Sequence, residues 1–270
     1  MPYYLGEVIK DRESLFAATP EKLHTKKNID VRMHHEALKI DRVKKSLLVR
    51  DHDKNQDYEE TYDYLVLATG ASPFIPDIPG LDIIPAFHLR TVEDMDRIKQ
   101  FVETSKPKVC TIIGGGYIGV EMSENFTHLG MKVNLVERSE HVISVIDEET
   151  ALKLQEHITE QGVKLYTNDG LKEVLSENTL KLESGETFQS DFILLSVGVK
   201  PNNLLAKEAD LSIGESGGVV SNKFMQTDDP SIYAVGDVVE SLDLIDGTPK
   251  QVPLAWPAHR QAYIIARHLS

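Results

Sequence analysis

Sulfur chemistry is nearly absent from this chain: of its 270 residues only Cys110 carries a thiol. One cysteine excludes a disulfide framework and any C-x-x-C redox or zinc site within these residues. The ten histidines do not fall at metal-ligand spacing. His34 and His35 are adjacent, which on a strand sends them to opposite faces, so no metal site is expected. No apolar run approaches the ~18 residues needed to span a bilayer, and no membrane partner is expected. The opening Met-Pro-Tyr-Tyr-Leu-Gly-Glu lacks the basic and apolar blocks of a secretory signal, so a cytoplasmic location is expected. Positive charge is also short: 29 Lys and Arg against 43 Asp and Glu leave a net charge of −14. A chain this acidic gains nothing from the phosphate attraction that dominates nucleic-acid affinity, which excludes nucleic acid as an expected partner.

What is present is ordinary for a globular protein, with 41% hydrophobic and 27% charged residues and length enough for two compact cores. The most informative run is Thr111-Ile112-Ile113-Gly114-Gly115-Gly116-Tyr117-Ile118-Gly119-Val120-Glu121. An apolar strand enters G-x-G-x-x-G, and the pattern continues as an amphipathic helix. Gly114 makes the tight turn, Gly116 lets the backbone approach a pyrophosphate, and Gly119 lets helix and strand pack closely. Unpaired N–H groups at the helix start, those of Tyr117 and Ile118 among them, then face the phosphates. About 20 residues on, at the end of the next strand, stands the acid such a site requires for ribose hydroxyls, Glu137. A carboxylate ~4 Å from a 2′-phosphate is repelled by about 4 kcal/mol at an effective dielectric near 20. Discounted for exposure, this leaves roughly one tenfold step, so NADH is favoured over NADPH. Neighbouring Arg138 offsets this if it pairs with the phosphate.

Along the chain, residues 1–28 read as helix with one interruption, restarted by the N-cap, proline and early acid of Thr19-Pro20-Glu21. Short strands follow: Ile29, Val31 and Met33 alternate, then come 46–49, a polar turn over 51–57, and 64–67. The proline-rich stretch 71–85 reads as a connecting segment. Strand 109–113 enters the glycine turn and its helix stops near Gly130. Strand 132–136, helix 148–160, three short strands around Glu183-Ser184-Gly185-Glu186 and strand 192–197 complete the second unit. Strand 232–234 and a helix from about 257 to 269 return to the first. The expected class is α/β: a Rossmann-like NAD(P)-binding domain over 106–230, inserted between 1–105 and 231–270, with an antiparallel meander.

Four runs, Tyr64…Ala68-Thr69-Gly70-Ala71, 114–121, Ser196-Val197-Gly198-Val199-Lys200-Pro201-Asn202 and Ile232-Tyr233-Ala234-Val235-Gly236-Asp237, together resemble the pyridine nucleotide-disulfide oxidoreductases. These are flavoenzymes that pass hydride from NAD(P)H through FAD. The resemblance covers nearly the whole chain in the expected order. It implies that 1–105 and 231–270 are pieces of an FAD-binding domain. It places Thr69, Gly70, Gly236 and Asp237 at FAD, Asp237 on the ribityl chain, and Leu254, Ala255 and Trp256 toward the flavin ring. It places Gly198 and Glu121 near the nicotinamide nucleotide, although Glu121 also reads as a solvated helix acid. Tyr117 resembles the aromatic that covers the flavin until nicotinamide arrives.

Pro2-Tyr3-Tyr4-Leu5-Gly6 and Leu254-Ala255-Trp256-Pro257-Ala258-His259-Arg260 resemble runs of the coenzyme A-disulfide reductase, NADH oxidase and NADH peroxidase branch. By that resemblance Lys27 and His259 contact coenzyme A, although Lys27 also reads as a solvated helix-end charge. The redox cysteine of the branch is expected two positions before Met1. The first FAD glycine loop and the C-terminal domain through which a parent homodimer forms are expected outside the chain. Cys110 lies inside the strand before Gly114 and reads as a buried structural thiol, not a substitute nucleophile. The expected function is passage of hydride from NADH through FAD to a small-molecule disulfide such as coenzyme A disulfide, with this chain alone inactive toward disulfides and holding FAD weakly. The alternatives are an NADH oxidase or peroxidase, using oxygen or peroxide, and a non-catalytic NAD-binding module.

Overall fold

A computed structural model describes residues 1–243 and 245–270. The chain forms two compact units, Met1–Ala17 with Pro73–Gly198 and Ala18–Ser72 with Val199–Ser270. The chain changes units at 17/18, 72/73 and 198/199, where the sequence pattern predicts changes at 105/106 and 230/231. For the change at 72/73 the physical reason lies in two elements with weak sequence signals. Strand Ala86–His88 pairs in parallel with Phe192–Leu195, and helix Val92–Ser105 supplies Met95 and Ile98 to the same core as Cys110 and Ile112.

The first unit is built on a five-stranded parallel sheet in the order Ala86–His88, Phe192–Leu195, Val109–Ile113, Lys132–Val136, Lys164–Tyr166. Its central strands are apolar nearly throughout, as expected of strands covered on both faces. Alternation divides them. Cys110, Ile112, Phe192 and Leu194 join helices Val92–Ser105, Tyr117–His128 and Glu148–Glu160 on one side, through Met95, Met122, Phe126 and Ile158. Ile113, Ile193 and Leu195 face the antiparallel meander Leu171–Ser176, Thr179–Leu182 and Thr187–Gln189, through Val174, Leu180 and Leu182. The register pairs Ile113 with Val136 and Leu195 with Ile113. Gly114, Glu137 and Ser196 therefore leave one row at the C-terminal ends of three adjacent strands, where open α/β sheets hold their ligands.

The second unit holds an antiparallel sheet of His35–Asp41, Ser46–Asp51 and Gln56–Thr61, a parallel pair Leu65–Leu67 with Ile232–Ala234, and the closing helix Ala255–Leu269. Its core gathers Ile40, Leu67, Val219, Ile232, Ala234, Val238 and Val239. The alternating Ile29, Val31 and Met33 form no strand. That segment is bracketed by left-handed Asn28 and His34, and Ile29 and Met33 stay exposed without an edge to pair. Conversely, the polar Gln56–Thr61 is a strand because it pairs along all of Ser46–Asp51, with Arg50 Nε 2.7 Å from Asp57 Oδ1. His34 and His35 do not share a strand. His34 Nδ1 lies 2.9 Å from Asp53, and His35 Nε2 lies 3.5 Å from Asp51. Residues 1–28 hold three short helical pieces, Pro2–Leu5, the 3-10 turn Arg12–Leu15 and Pro20–Lys27. The last starts as expected, with the Lys22 N–H donating to Thr19 Oγ1 at 3.3 Å.

Candidate functional site

The glycine turn lies in the first unit, between strand Val109–Ile113 and helix Tyr117–His128. Each glycine has a distinct role there. Gly114 has φ +103°, and a Cβ there would stand 2.5 Å from the Ser196 carbonyl oxygen. A Cβ on Gly119 would stand 2.0 Å from the Gly114 carbonyl oxygen, so the helix rests directly on the turn. Ser196 Oγ, 2.7 Å from that same oxygen, ties the turn to the neighbouring strand.

Gly116 is different. Its φ of −74° suits any residue, and a Cβ there would meet no protein atom within 4 Å. Nothing inside the fold requires glycine at this position. As a glycine N-cap it offers no side chain to bond the first N–H groups of the helix, which leaves them for a ligand. An anionic group fits there in charge and in room. Tyr117 and Ile118 stand exposed beside it.

Glu137 closes the other side of the turn. Its carboxylate accepts the Gly115 N–H at 2.6 Å and the Ser139 N–H at 2.7 Å. One bond per oxygen leaves each a free lone pair for hydroxyl donors. Arg138 turns away and pairs with Glu183, which sits 45 residues on in the meander turn. The pair lies against Gly170, where a Cβ would fall 2.6 Å from Arg138 Nε and 3.0 Å from the Glu183 carboxyl carbon. Neither Glu183 nor Gly170 has a signal in the linear sequence; only the meander brings them to the strand end. Glu121 is half-buried one turn into the helix, and Gly198 ends the unit with φ +96°, where a Cβ would meet no atom within 4 Å.

In the second unit, Thr69 and Gly70 are clasped by Asn202, a residue the sequence motif contained but assigned no role. Thr69 Oγ1 donates to the Asn202 carbonyl at 2.7 Å, Asn202 Nδ2 donates to the Thr69 carbonyl at 2.9 Å, and the Asn202 N–H donates to the Gly70 carbonyl at 2.9 Å. The Gly236 N–H is held by Gln261 Oε1 at 2.8 Å, and the Asp237 carbonyl accepts from Gln251. Leu254 caps the closing helix without a side-chain bond; Ala255 and Trp256 are exposed at its start, Trp256 stacked on His259 at 5.7 Å. Lys27 is exposed at the end of Pro20–Lys27. Cys110 is fully buried in the central strand, and burial, reinforced by Asp191, pushes its thiol well above the usual range. It is no nucleophile. Among the described residues no group of His, Cys, Asp and Glu is placed to hold a metal ion, and no helix is long and apolar enough to cross a membrane.

Comparison with known proteins agrees with this geometry. The family model of pyridine nucleotide-disulphide oxidoreductases matches residues 2–262. The chain belongs to this family. It is 34% identical to the coenzyme A disulfide reductase of Staphylococcus epidermidis over 270 residues, all of this chain and 61% of that protein. The structure of reduced Bacillus anthracis CoADR-RHD superposes with TM-score 0.96 at 40% identity, over 99% of this chain and 48% of that one. A NAD-dependent persulfide reductase from A. fulgidus gives 0.93 at 30% identity, over 99% and 51%. The water-forming NADH oxidase of Lactobacillus brevis bound to NADH gives 0.91 at 26%, over 99% and 59%. Its engineered NADPH-bound form gives 0.90 at 27%, over 98% and 59%. The chain thus spans about half to three fifths of these relatives. Family membership brings FAD and a nicotinamide nucleotide as the cofactors.

Proposed function

We propose that the protein passes hydride from NADH through FAD to a small-molecule disulfide of the coenzyme A type. The carrying observation is Gly116: a glycine with no internal reason to be one, at an uncapped helix start, with a carboxylate across the turn. Nicotinamide nucleotide and FAD supply the hydride transfer when bound. Gly114, Gly116 and Gly119 shape the loop, the N–H groups of Tyr117 and Ile118 take the pyrophosphate, and Glu137 takes ribose hydroxyls. Tyr117 is the aromatic that yields to the nicotinamide, with Glu121 and Gly198 beside it. Thr69, Gly70, Gly236 and Asp237 hold FAD, Asp237 on the ribityl chain, while Leu254, Ala255 and Trp256 border the flavin ring. Residues 73–198 accordingly form most of the nucleotide domain, and the second unit belongs to the FAD domain.

For the acceptor, Lys27 and His259 are exposed bases in the second unit, suited to an anionic coenzyme. The A. fulgidus persulfide reductase and the Staphylococcus relative carry reductase names, which favours a disulfide or persulfide over oxygen. The L. brevis oxidase supports the second reading, an NADH oxidase. Its engineered NADPH form bears on nucleotide choice. There an acid, at the same spacing from a loop glycine as Glu137 from Gly119, was replaced, and arginine and serine were placed in the next two positions. This chain has arginine and serine there and keeps the acid, so it combines a feature of each. NADH oxidation by the full-length protein, assayed separately with coenzyme A disulfide, peroxide and oxygen, tests the proposal. Turnover with the disulfide is expected, with Lys27→Ala and His259→Ala raising its KM alone. Turnover with oxygen only would transfer the assignment to the oxidases.

A further inference from the structure

The geometry points to Glu183 as a selectivity residue for the nucleotide, acting on Arg138 as a built-in competitor for a 2′-phosphate. This rests on the reading of the glycine turn as the nicotinamide nucleotide site. Three observations carry it. Arg138 directly follows the ribose acid Glu137, where a guanidinium meets a 2′-phosphate, yet its guanidinium is bonded to the Glu183 carboxylate. The contact is built in, because Gly170 makes room for it. Gly170 has no left-handed φ to explain it, and a Cβ there would press on Arg138 Nε at 2.6 Å and on the Glu183 carboxyl carbon at 3.0 Å, so a side chain would displace the pair from this arrangement. Finally, the pair stays accessible, with side-chain exposures of 73% for Arg138 and 48% for Glu183.

An exposed ion pair is weak, worth at most about one tenfold step. Arg138 can therefore leave Glu183 for a phosphate dianion, but Glu183 opposes this twice. It competes for the guanidinium, and its own charge repels the incoming phosphate. NADH has no 2′-phosphate and is indifferent to both effects. Glu137 alone accounts for part of a preference for NADH; Glu183 keeps the adjacent arginine from cancelling it.

Calorimetric titration of NADH and NADPH into wild type, Glu183→Gln and Arg138→Ala separates these contributions. Because the pair is exposed, both variants are expected to fold as wild type does. Glu183→Gln should tighten NADPH about tenfold and move NADH less than about twofold, and Arg138→Ala, alone or with Glu183→Gln, should weaken NADPH and abolish the gain. A ratio of the two affinities that stays at the wild-type value in Glu183→Gln overturns the assignment, as does an unchanged NADPH affinity in Arg138→Ala. Failure of wild type to bind either nucleotide would instead overturn the reading of the glycine turn, and this inference with it.

Discussion

At the scale of single residues, the three glycines of the turn separate folding from binding. A Cβ at position 116 would meet no protein atom within 4 Å, so Gly116→Val should leave the melting temperature within a degree or two and abolish NADH binding in a calorimetric titration. Gly119→Ala should do the reverse damage first. Its Cβ would press on the Gly114 carbonyl at 2.0 Å, and forced overpacking of this kind costs about 1–3 kcal/mol. Equal losses of stability in both variants would sink the assignment of Gly116 to a ligand. Cys110 makes a second test. With its thiol buried and pushed up, it should react with an aromatic disulfide reagent only as the protein unfolds, and rapid reaction of the native protein would contradict its structural role. The tight turn at Gly114 and the close helix contact at Gly119 were legible in sequence because both sit in a short motif with fixed spacing, and the burial of Cys110 because it lies inside an apolar strand. Glu183, Gly170 and Asn202 were not, since their contacts cross 45, 32 and 133 residues.

At the scale of elements, the reading succeeded where apolar periodicity and a stop signal coincide. Strands Val109–Ile113 and Lys132–Val136 and helix Glu148–Glu160 lie where the pattern put them. It failed on Ile29–Met33, where three alternating residues lacked an edge to pair, and on Gln56–Thr61, a strand made by its partner and not by its own composition. It also passed over helix Val92–Ser105, whose best signal is local: Thr91 and Asp94 form a complete capping box. Thr91→Ala should lower stability by about 1 kcal/mol, measured as the shift of a denaturant midpoint without change of slope. Burial opposes ionisation of Asp94, but the N–H groups of Thr91 and Arg90, the Arg97 guanidinium and His88 outweigh it and hold the carboxyl below its usual range. A depressed carboxyl contributes stability above its unfolded value, about 3.9, and loses it as pH falls through the lower folded value. The difference in melting temperature between wild type and Asp94→Asn should therefore be full at pH 7 and shrink steadily below about pH 4. A difference that grows in acid would show the sign to be wrong.

At the scale of the whole molecule, the two units have separate cores, and the glycine turn belongs wholly to one of them. A ligand that binds only the folded state stabilises by about 2.7 kcal/mol at a hundredfold excess over its Kd, and the gain falls on the cooperative unit that carries the site. NADH at that excess should slow amide exchange about a hundredfold in the parts of the first unit that exchange only when it opens, chiefly strands Val109–Ile113, Lys132–Val136 and Phe192–Leu195. The N–H groups at the start of helix Tyr117–His128 should gain protection of a different kind, by direct bonding to phosphate, because no side chain caps them. The hairpin sheet His35–Asp41, Ser46–Asp51 and Gln56–Thr61 lies in the second unit and should exchange at its unliganded rate. Exchange measured by peptide-level mass spectrometry resolves the three responses in one experiment. Protection confined to the hairpin sheet would place the nucleotide in the second unit and reject the glycine turn as its site. Protection at the helix start without slowing of the central strands would mean that the loop binds phosphate but that the first unit does not open as one.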